Sequence, residues 1–201
     1  MKLVLATRNL GKVKELTAML SPDGQRQNIQ ILSLQDFPDA PEVVEDGETY
    51  EENAAKKAVA IADYTGLRTL ADDAGIEVDA LDGAPGVHSK RWAGDDATDT
   101  IRVQKLLDAL EGKTNRTARF VAAIAIAEPI EVENPSYNRV QVVVGKCEGH
   151  IIHAPVGDSG FGYDPIFVPV GYEKTFAELG DAIKNRISHR SEALRLALKL
   201  L

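Results

Sequence analysis

Lys2-Leu3-Val4-Leu5-Ala6 is a short apolar run that ends at the polar residues Thr7-Arg8-Asn9. A run of this length and composition predicts a buried strand. Apolar side chains then recur at helical spacing from residue 11 to residue 20, which predicts a helix directly after the strand. A strand that leads directly into a helix is a building unit of α/β folds.

The rest of the chain alternates predicted strands and helices. Further helices are expected over 49–64, over 95–110 and from about 188 onward, the last with an apolar stripe of Leu194, Leu198 and Leu201. Strands are expected over 29–32, 69–71, 76–80, 119–127 and 139–152, the last two as a hairpin joined by a loop at 129–136. Thr49-Tyr50-Glu51-Glu52 matches a capping box that would start the second helix, and Thr65-Gly66 would end it.

The composition is that of a globular protein with an acidic balance. Of 201 residues, 44% are apolar and 27% are charged, so a single domain with a well-formed core is expected. The formal net charge of -8 argues against non-specific nucleic-acid binding, which needs positive surface. Cys147 is the only cysteine, which excludes an intrachain disulfide and favours the reducing cytoplasm. No signal or membrane segment is apparent, so we expect a soluble cytoplasmic protein.

A glycine-rich loop reads Gly157-Asp158-Ser159-Gly160-Phe161-Gly162-Tyr163-Asp164-Pro165. Glycine lets a backbone approach a ligand closely, while Phe161 offers a flat face and Asp164 offers hydrogen-bond acceptors. These properties suit a nucleobase. Clusters of Gly, Asp and Ser are also ordinary turn chemistry, so a tight β-turn is the alternative interpretation.

The segment Thr7-Arg8-Asn9-Leu10-Gly11-Lys12 lies where the first strand should lead into a helix. Unpaired backbone N–H groups and the helix dipole attract phosphate at such a point. Helix capping by Thr7 and Asn9 is the alternative interpretation. No Walker sequence occurs, and the glycine-rich loop lacks the spacing of the dinucleotide fingerprint, so ATPase and Rossmann interpretations lose their usual support.

Two adjacent carboxylates, Asp72 and Asp73, follow a short predicted strand. Adjacent carboxylates repel one another unless positive charge is near. Mg²⁺ binds one or two carboxylates together with substrate phosphate oxygens, and Glu45 is a candidate second ligand. Exposed aspartates in a strand-end turn are the alternative interpretation.

Six motifs occur in order along the chain. They are Thr7-x-Asn9-x-x-Lys12; Glu45-x-Gly47-x-Thr49-Tyr50-x-Glu52-Asn53-Ala54-x-x-Lys57-Ala58; Ala71-Asp72-Asp73-x-Gly75; Gly83-x-Pro85-Gly86-Val87-x-Ser89-x-Arg91-Trp92; Gly160-Phe161-Gly162-Tyr163-Asp164-Pro165; and Lys184-x-x-Ile187-Ser188-His189-Arg190. In this order they resemble the inosine triphosphate pyrophosphatase family, house-cleaning enzymes that hydrolyse dITP, ITP and XTP. The resemblance runs the length of the chain.

The resemblance implies an elongated, two-lobed α/β fold with a long mixed central β-sheet flanked by helices and a nucleotide cleft between the lobes. Residues 1–201 would form one nucleoside-triphosphate pyrophosphatase domain. The implied activity is Mg²⁺-dependent hydrolysis at the α–β bond of non-standard purine nucleotides, giving monophosphate and pyrophosphate and keeping these nucleotides out of DNA and RNA. A homodimer is the usual assembly.

The resemblance also implies roles for individual positions. Asp73 corresponds to the catalytic carboxylate, and Glu45 and Asp73 correspond to the metal site. Lys12 and Lys57 would stabilise departing pyrophosphate, Phe161 would stack on the purine, and a donor from Lys184, His189 or Arg190 would face its C6 oxygen. The expected substrate-binding residues are Thr7, Arg8, Asn9, Leu10, Gly11, Lys12, Lys57, Asp72, Ala74, Phe161, Gly162, Tyr163, Asp164, Lys184, His189 and Arg190.

Two positions depart from the family pattern. Ala74 stands where a serine or threonine hydroxyl is usual, and Ser159 stands where glycine is usual. Before Gly47, the acidic residues available are Glu45 and Asp46, of which Glu45 is taken as the ligand.

Two other classes of function are compatible with parts of the sequence. A nucleotide sensor or RNA-binding protein would keep the aromatic loop and the lysines but would not need Asp72, Asp73 and Glu45. The acidic balance counts against the RNA-binding version. A phosphotransferase would need an acceptor site and would yield a phosphorylated acceptor instead of free pyrophosphate.

Overall fold

The structure, a computed structural model, describes residues 1–20, 29–130 and 139–201. Its helices are α1 (Leu10–Leu20), α2 (Tyr50–Thr65), α3 (Asp99–Ala109), α4 (Phe176–Ile187) and α5 (His189–Ala197). Its strands are β1 (Lys2–Leu5), β2 (Gln30–Ser33), β3 (Thr69–Val78), β4 (Thr117–Ala127), β5 (Val140–Ile151) and β6 (Phe167–Pro169). Short 3-10 helices lie at Asp79–Leu81, Gly86–Arg91 and Asp164–Ile166.

The strands form one mixed sheet in the order β2-β1-β3-β4-β5-β6. β1 pairs in parallel with β2 and β3, and β5 pairs antiparallel with β6. β4 and β5 run in opposite directions, because Glu128 donates to the Arg139 carbonyl at one end and Ile151 donates to the Arg116 carbonyl at the other. This mixed sheet with its helices confirms the predicted α/β class.

The chain divides into two compact units. Unit 1 comprises Met1–Asp73, Ala122–Gly145 and Ala193–Leu201, and unit 2 comprises Ala74–Val121 and Lys146–Glu192. The division falls inside β3, β4 and β5, so Asp73 ends one segment and Ala74 begins the next. Among the described residues, no helix has the length and apolar character that a membrane span requires.

Each unit has its own buried apolar residues. In unit 1, Leu3, Val4 and Leu5 of β1 are completely buried, as the apolar run predicted. In unit 2, the core contains the rings of Phe120, Phe167 and Phe176, whose centroids lie 4.7 to 6.1 Å apart. Aromatic pairs at these separations add to the stability that burial provides.

Helix α2 begins and ends at the predicted signals. The Thr49 hydroxyl accepts from the Glu52 N–H at 3.1 Å, while the Glu52 carboxylate accepts from the Glu48 N–H at 2.8 Å. In an ordinary capping box the Glu52 carboxylate would accept from the N–H of the N-cap residue Thr49. Here it accepts from the N–H of Glu48, one residue earlier. Gly66 ends the helix at φ 65°, a conformation that glycine adopts without strain.

Several predicted elements differ in extent. The strands expected over 69–71 and 76–80 are one continuous strand, β3, and the helix expected from 95 begins at Asp99 after its N-cap Thr98. The last helix begins after Ser188, whose hydroxyl accepts from the Ser191 N–H at 3.2 Å, but it ends at Ala197, before Leu198 and Leu201. α4 and β6 had not been predicted. Residues 131–136 of the expected hairpin loop lie outside the described residues.

Candidate active site

The segment from Thr7 to Lys12 spans the end of the loop after β1 and the first turn of α1. The Asn9 side-chain oxygen accepts from the backbone N–H groups of Gly11 at 2.9 Å and Lys12 at 3.2 Å. The Thr7 hydroxyl accepts from the Asn9 N–H at 3.2 Å, and the Arg8 guanidinium donates to the Ala40 carbonyl at 2.8 Å. Helix capping is therefore present here, and Asn9 and Leu10 remain exposed.

The aspartate pair lies inside strand β3 and is buried. Asp72 is 1% exposed and Asp73 is 7% exposed. The positive charge that such burial requires comes from Lys12, whose Nζ lies 3.3 Å from Asp72 Oδ2, and from Lys57, which donates to the Asp72 carbonyl at 2.7 Å. The alternative of exposed aspartates in a turn is wrong, because the two lysines compensate charge that would otherwise disfavour burial.

Lys57 lies between two acidic side chains of unit 1, those of Glu45 and Asp73. It lies on α2, and its Nζ is 3.0 Å from Glu45 Oε2 and 4.0 Å from Asp73 Oδ1. Its side chain is only 11% exposed, so these interactions are weakly screened by solvent. The structure thus brings Glu45, Lys57, Asp72 and Asp73 together with Lys12.

The two carboxylates beside Lys57 differ in their proton affinity. Burial raises the pKa of Asp73 above its ordinary value, and the negative charge of Glu45 adds to this although Lys57 and Lys12 oppose it. Burial acts the same way on Glu45, but the charge and hydrogen bond of Lys57 outweigh it and lower the pKa of Glu45. Of the two, Asp73 is the better proton acceptor, which suits a general base.

Asn53 also contacts this group; it lies in the second motif but is not among the predicted site residues. This α2 side chain is 1% exposed; its oxygen accepts from the Gly47 N–H at 2.8 Å and its amide donates to Asp73 Oδ2 at 3.1 Å. It therefore ties the loop that carries Glu45 to the carboxylate of Asp73. A Cβ at Gly47 would lie 2.8 Å from the Asn53 oxygen, which explains the glycine.

Replacing Asn53 with alanine should destabilise the protein. The change leaves the partly buried Gly47 N–H and the buried Asp73 carboxylate each without one partner, and unsatisfied buried groups cost about 1–3 kcal/mol. Urea unfolding should show a loss of that size, whereas the same change at exposed Asn115 should have a smaller effect. Equal stabilities of the two variants would show that the Asn53 contacts contribute little.

The donor set fits Mg²⁺. The carboxylates of Glu45 and Asp73 both lie within 4.0 Å of Lys57 Nζ, and the Asp73 side chain contributes to lowering the pKa of Glu45. Within residues 1–20, 29–130 and 139–201, no group of three or more His, Cys, Asp or Glu side chains is arranged to hold a metal ion. Two carboxylates match an ion that takes one or two protein ligands and completes its shell with water and phosphate oxygens.

A second group of predicted residues lies in unit 2, around the ring of Phe161. Lys184 Nζ lies 4.5 Å from the ring centroid and the Arg190 guanidinium carbon lies 5.8 Å from it. Lys184 and Arg190 are 3% and 2% exposed, so both cations are held inside the protein. Cation–π attraction strengthens when the cation is desolvated, which helps to hold Phe161 in place.

Asp164 is used within the loop itself. Its Oδ2 accepts from the Phe161 N–H at 2.9 Å and from Lys184 Nζ at 2.5 Å, and Asp164 is 2% exposed. A Cβ at Gly160 would lie 2.2 Å from the same oxygen, and Gly160 has φ 78°. The glycine is therefore required both by close approach and by its backbone conformation.

Tyr163 and His189 are also buried. The Tyr163 hydroxyl donates to the Ser89 carbonyl at 2.8 Å, and burial raises the pKa of this phenol. The His189 ring stacks on Phe120 with centroids 4.7 Å apart. The structure therefore brings Phe161, Tyr163 and Asp164 together with Lys184 and Arg190, while His189 contacts the aromatic core.

The unit 1 group thus combines two buried aspartates with two lysines on a mixed α/β fold. A model of the Ham1 family matches residues 3–200. The chain belongs to the Ham1 family, which confirms the resemblance found in the sequence.

Individual relatives cover almost the whole chain. A dITP/XTP pyrophosphatase from Desulforamulus reducens is 51% identical over 203 residues, covering 100% of this chain and 96% of that protein. A dITP/XTP pyrophosphatase from Exiguobacterium sp. is 51% identical over 195 residues, covering 97% and 94%. The structure of a HAM1 protein from Coxiella burnetii matches with a TM-score of 0.85 at 40% identity, covering 100% of this chain and 98% of that chain.

Proposed function

We propose that this protein hydrolyses the non-standard purine nucleoside triphosphates dITP, ITP and XTP to the monophosphate and pyrophosphate. The observation that carries the proposal is the group of Glu45, Asp72 and Asp73 with Lys12 and Lys57, in which both aspartates are buried. Membership of the Ham1 family and the dITP/XTP pyrophosphatase names of relatives supply the substrate class.

The phosphate end of the substrate would be bound by Thr7 to Lys12 and by Lys57. A triphosphate carries close to four negative charges, so its binding beside buried carboxylates needs compensating cations. Lys12 and Lys57 already neutralise Asp72 and Glu45 and would exchange part of that pairing for phosphate oxygens. They would also stabilise the charge on departing pyrophosphate.

Asp73 is assigned to proton transfer. Its raised pKa and position beside Lys57 suit a carboxylate that orients a water molecule and takes its proton as the water oxygen attacks the α-phosphorus. The bond from the α-phosphorus to the bridging oxygen breaks, and pyrophosphate leaves with that oxygen. Asn53 holds Asp73 in orientation through its amide.

We also propose that Mg²⁺ is the cofactor and that Glu45 and Asp73 hold it. When bound, Mg²⁺ supplies positive charge that offsets the charge of the phosphate oxygens. EDTA should therefore abolish turnover and added Mg²⁺ should restore it, since carboxylates without the ion repel the triphosphate. Steady-state pyrophosphate release measures this, and full activity in the chelator would contradict a metal role.

The base end would be bound in unit 2. Phe161 would stack on the purine, an interaction worth about 1–3 kcal/mol that tolerates any base. A donor from Lys184, His189 or Arg190 would meet the C6 oxygen of hypoxanthine or xanthine. With adenine the same donor would face an amino group and stay unpaired, which disfavours binding.

The remaining attributes follow the family expectation. We propose a homodimer that acts in the cytoplasm on a small nucleotide and does not bind nucleic acid, the last in line with the net charge of -8.

Rates with a panel of triphosphates test the substrate class. With Mg²⁺, kcat/KM should be highest for dITP, ITP and XTP and much lower for ATP. Equal rates for all four would contradict the proposed selectivity, and binding without turnover would favour a nucleotide sensor. A phosphorylated acceptor instead of free pyrophosphate would favour a phosphotransferase.

A further inference from the structure

The loop that carries Phe161 is fixed at three successive residues. The Phe161 N–H donates to Asp164, the Gly162 N–H donates to Asp99 Oδ2 at 2.7 Å, and the Tyr163 hydroxyl donates to the Ser89 carbonyl. Asp164 belongs to the loop itself. Asp99 lies 63 residues away in sequence, outside the six sequence motifs.

Asp99 is itself held in a defined orientation. It is the first residue of α3, after the N-cap Thr98, whose hydroxyl accepts from the Ile101 N–H at 3.3 Å. Its other oxygen, Oδ1, pairs with the Arg102 guanidinium, which also donates to the Lys90 carbonyl at 3.1 Å. One carboxylate oxygen is therefore committed to Arg102 and the other to the loop.

The Gly162 N–H is held in a defined direction by the backbone. Gly162 has φ 66°, so its amide direction is set by a backbone conformation that Asp99 must match. A hydrogen bond to a charged acceptor is stronger than one between neutral groups. The bond from the Gly162 N–H to Asp99 therefore fixes the orientation of the peptide group between Phe161 and Gly162. The orientation of that peptide sets where the Phe161 ring lies.

We infer that Asp99 is a positioning residue for purine binding, acting through the Gly162 amide on the ring of Phe161. The inference rests on the proposed function, because it assigns Phe161 to the base. It predicts that loss of Asp99 weakens recognition of the base without changing the handling of phosphate, since the partners of the Asp99 carboxylate, Gly162 and Arg102, both belong to unit 2.

Asp99→Ala and Asp99→Asn together test the inference. Asp99→Ala should raise KM for dITP and the dissociation constant of IMP about tenfold, from the loss of a charge-assisted hydrogen bond, with kcat changed less than about twofold. Asp99→Asn keeps an acceptor oxygen and should restore most of the affinity. Exposed Asp96→Ala in the preceding segment is the matched control and should behave like the unchanged protein.

Inhibition by tripolyphosphate separates positioning from general damage to the fold. Its inhibition constant should be the same in Asp99→Ala and in the unchanged protein, because tripolyphosphate has no base. Equal weakening of IMP and tripolyphosphate, or unchanged affinity for IMP, would overturn the inference. Failure of the wild-type protein to hydrolyse dITP would refute the proposed function. If the wild-type protein is active and Asp99→Ala has the same KM for dITP and the same affinity for IMP, only this inference is refuted.

Amide exchange gives a test that does not depend on the folding of the alanine variant. The amide hydrogen of Gly162 should exchange slowly with solvent in the wild-type protein. In Asp99→Asn the same hydrogen should exchange faster, because the neutral acceptor is weaker. Fast exchange at Gly162 in the unchanged protein would overturn the inference.

Discussion

Asp73→Asn should reduce kcat for dITP by about 10²–10⁴-fold, the range that general-base catalysis contributes. The amide has nearly the same shape as the carboxylate, but it cannot accept the proton of the attacking water. Burial raises the pKa of Asp73, so charge at this position is disfavoured in the folded protein and its removal should leave the fold intact. Steady-state assays of pyrophosphate release measure the effect.

The control is a chemically identical change elsewhere in unit 1. Asp39 is exposed, and Asp39→Asn should keep the activity and the unfolding temperature of the unchanged protein. Substantial residual turnover in Asp73→Asn, with correct folding shown by circular dichroism, would remove Asp73 from the catalytic step and leave it as a structural partner of Lys57.

Phe161→Ala and Arg190→Ala should separate affinity from selectivity. Loss of stacking costs about 1–3 kcal/mol whichever base is present, so Phe161→Ala should lower kcat/KM for ITP and ATP by a common factor of about 5 to 150. A directional donor distinguishes a carbonyl from an amine, so Arg190→Ala should lower ITP and XTP turnover far more than the residual ATP turnover.

Two controls accompany this pair. Tyr172→Ala removes a partly exposed ring of unit 2, and Arg195→Ala removes an exposed guanidinium of α5; both should be neutral. Arg190 is only 2% exposed, so Arg190→Ala leaves a cavity in addition to removing the donor. Arg190→Met preserves most of the side-chain volume and should be compared with Arg190→Ala. An unchanged ITP/ATP ratio in both folded Arg190 variants would exclude Arg190 from recognition of the base.

The sequence predicted the strand and helix that frame Thr7 to Lys12, because their apolar patterns are local. It failed at β3, where Asp72 and Asp73 divided one strand into two predicted pieces, since aspartate is unfavourable in strands. The strand is continuous because Lys12 and Lys57, distant in sequence, compensate the buried charge. Information of this kind lies in tertiary contacts and not in local propensity.

Helix α4 was missed although its start signal is present. Thr175 and Glu178 form a capping box in which the Glu178 N–H donates to the Thr175 hydroxyl at 3.2 Å and the Thr175 N–H donates to the Glu178 carboxylate at 2.9 Å. Gly180 interrupts the helix at φ 73°, which obscures its periodicity. The spacing of the box could have found this helix.

The candidate site was predictable mainly through motifs. Asp73, Glu45 and Lys57 were named from the family resemblance, and the structure brings them together. Asn53 and Asp99 could not be named from residue type, because an asparagine within a helix or an aspartate at its start has ordinary structural explanations. Only their partners, Asp73 and the Gly162 amide, indicate a role at the site.

Turnover of ITP in ¹⁸O-enriched water, with Mg²⁺ present, tests the central claim most directly. Attack of water at the α-phosphorus should place one ¹⁸O atom in IMP and none in pyrophosphate, and mass spectrometry of both products measures the label. Label in pyrophosphate would show attack at the β-phosphorus, and formation of IDP with inorganic phosphate would show cleavage of a different bond. Either result would contradict the account.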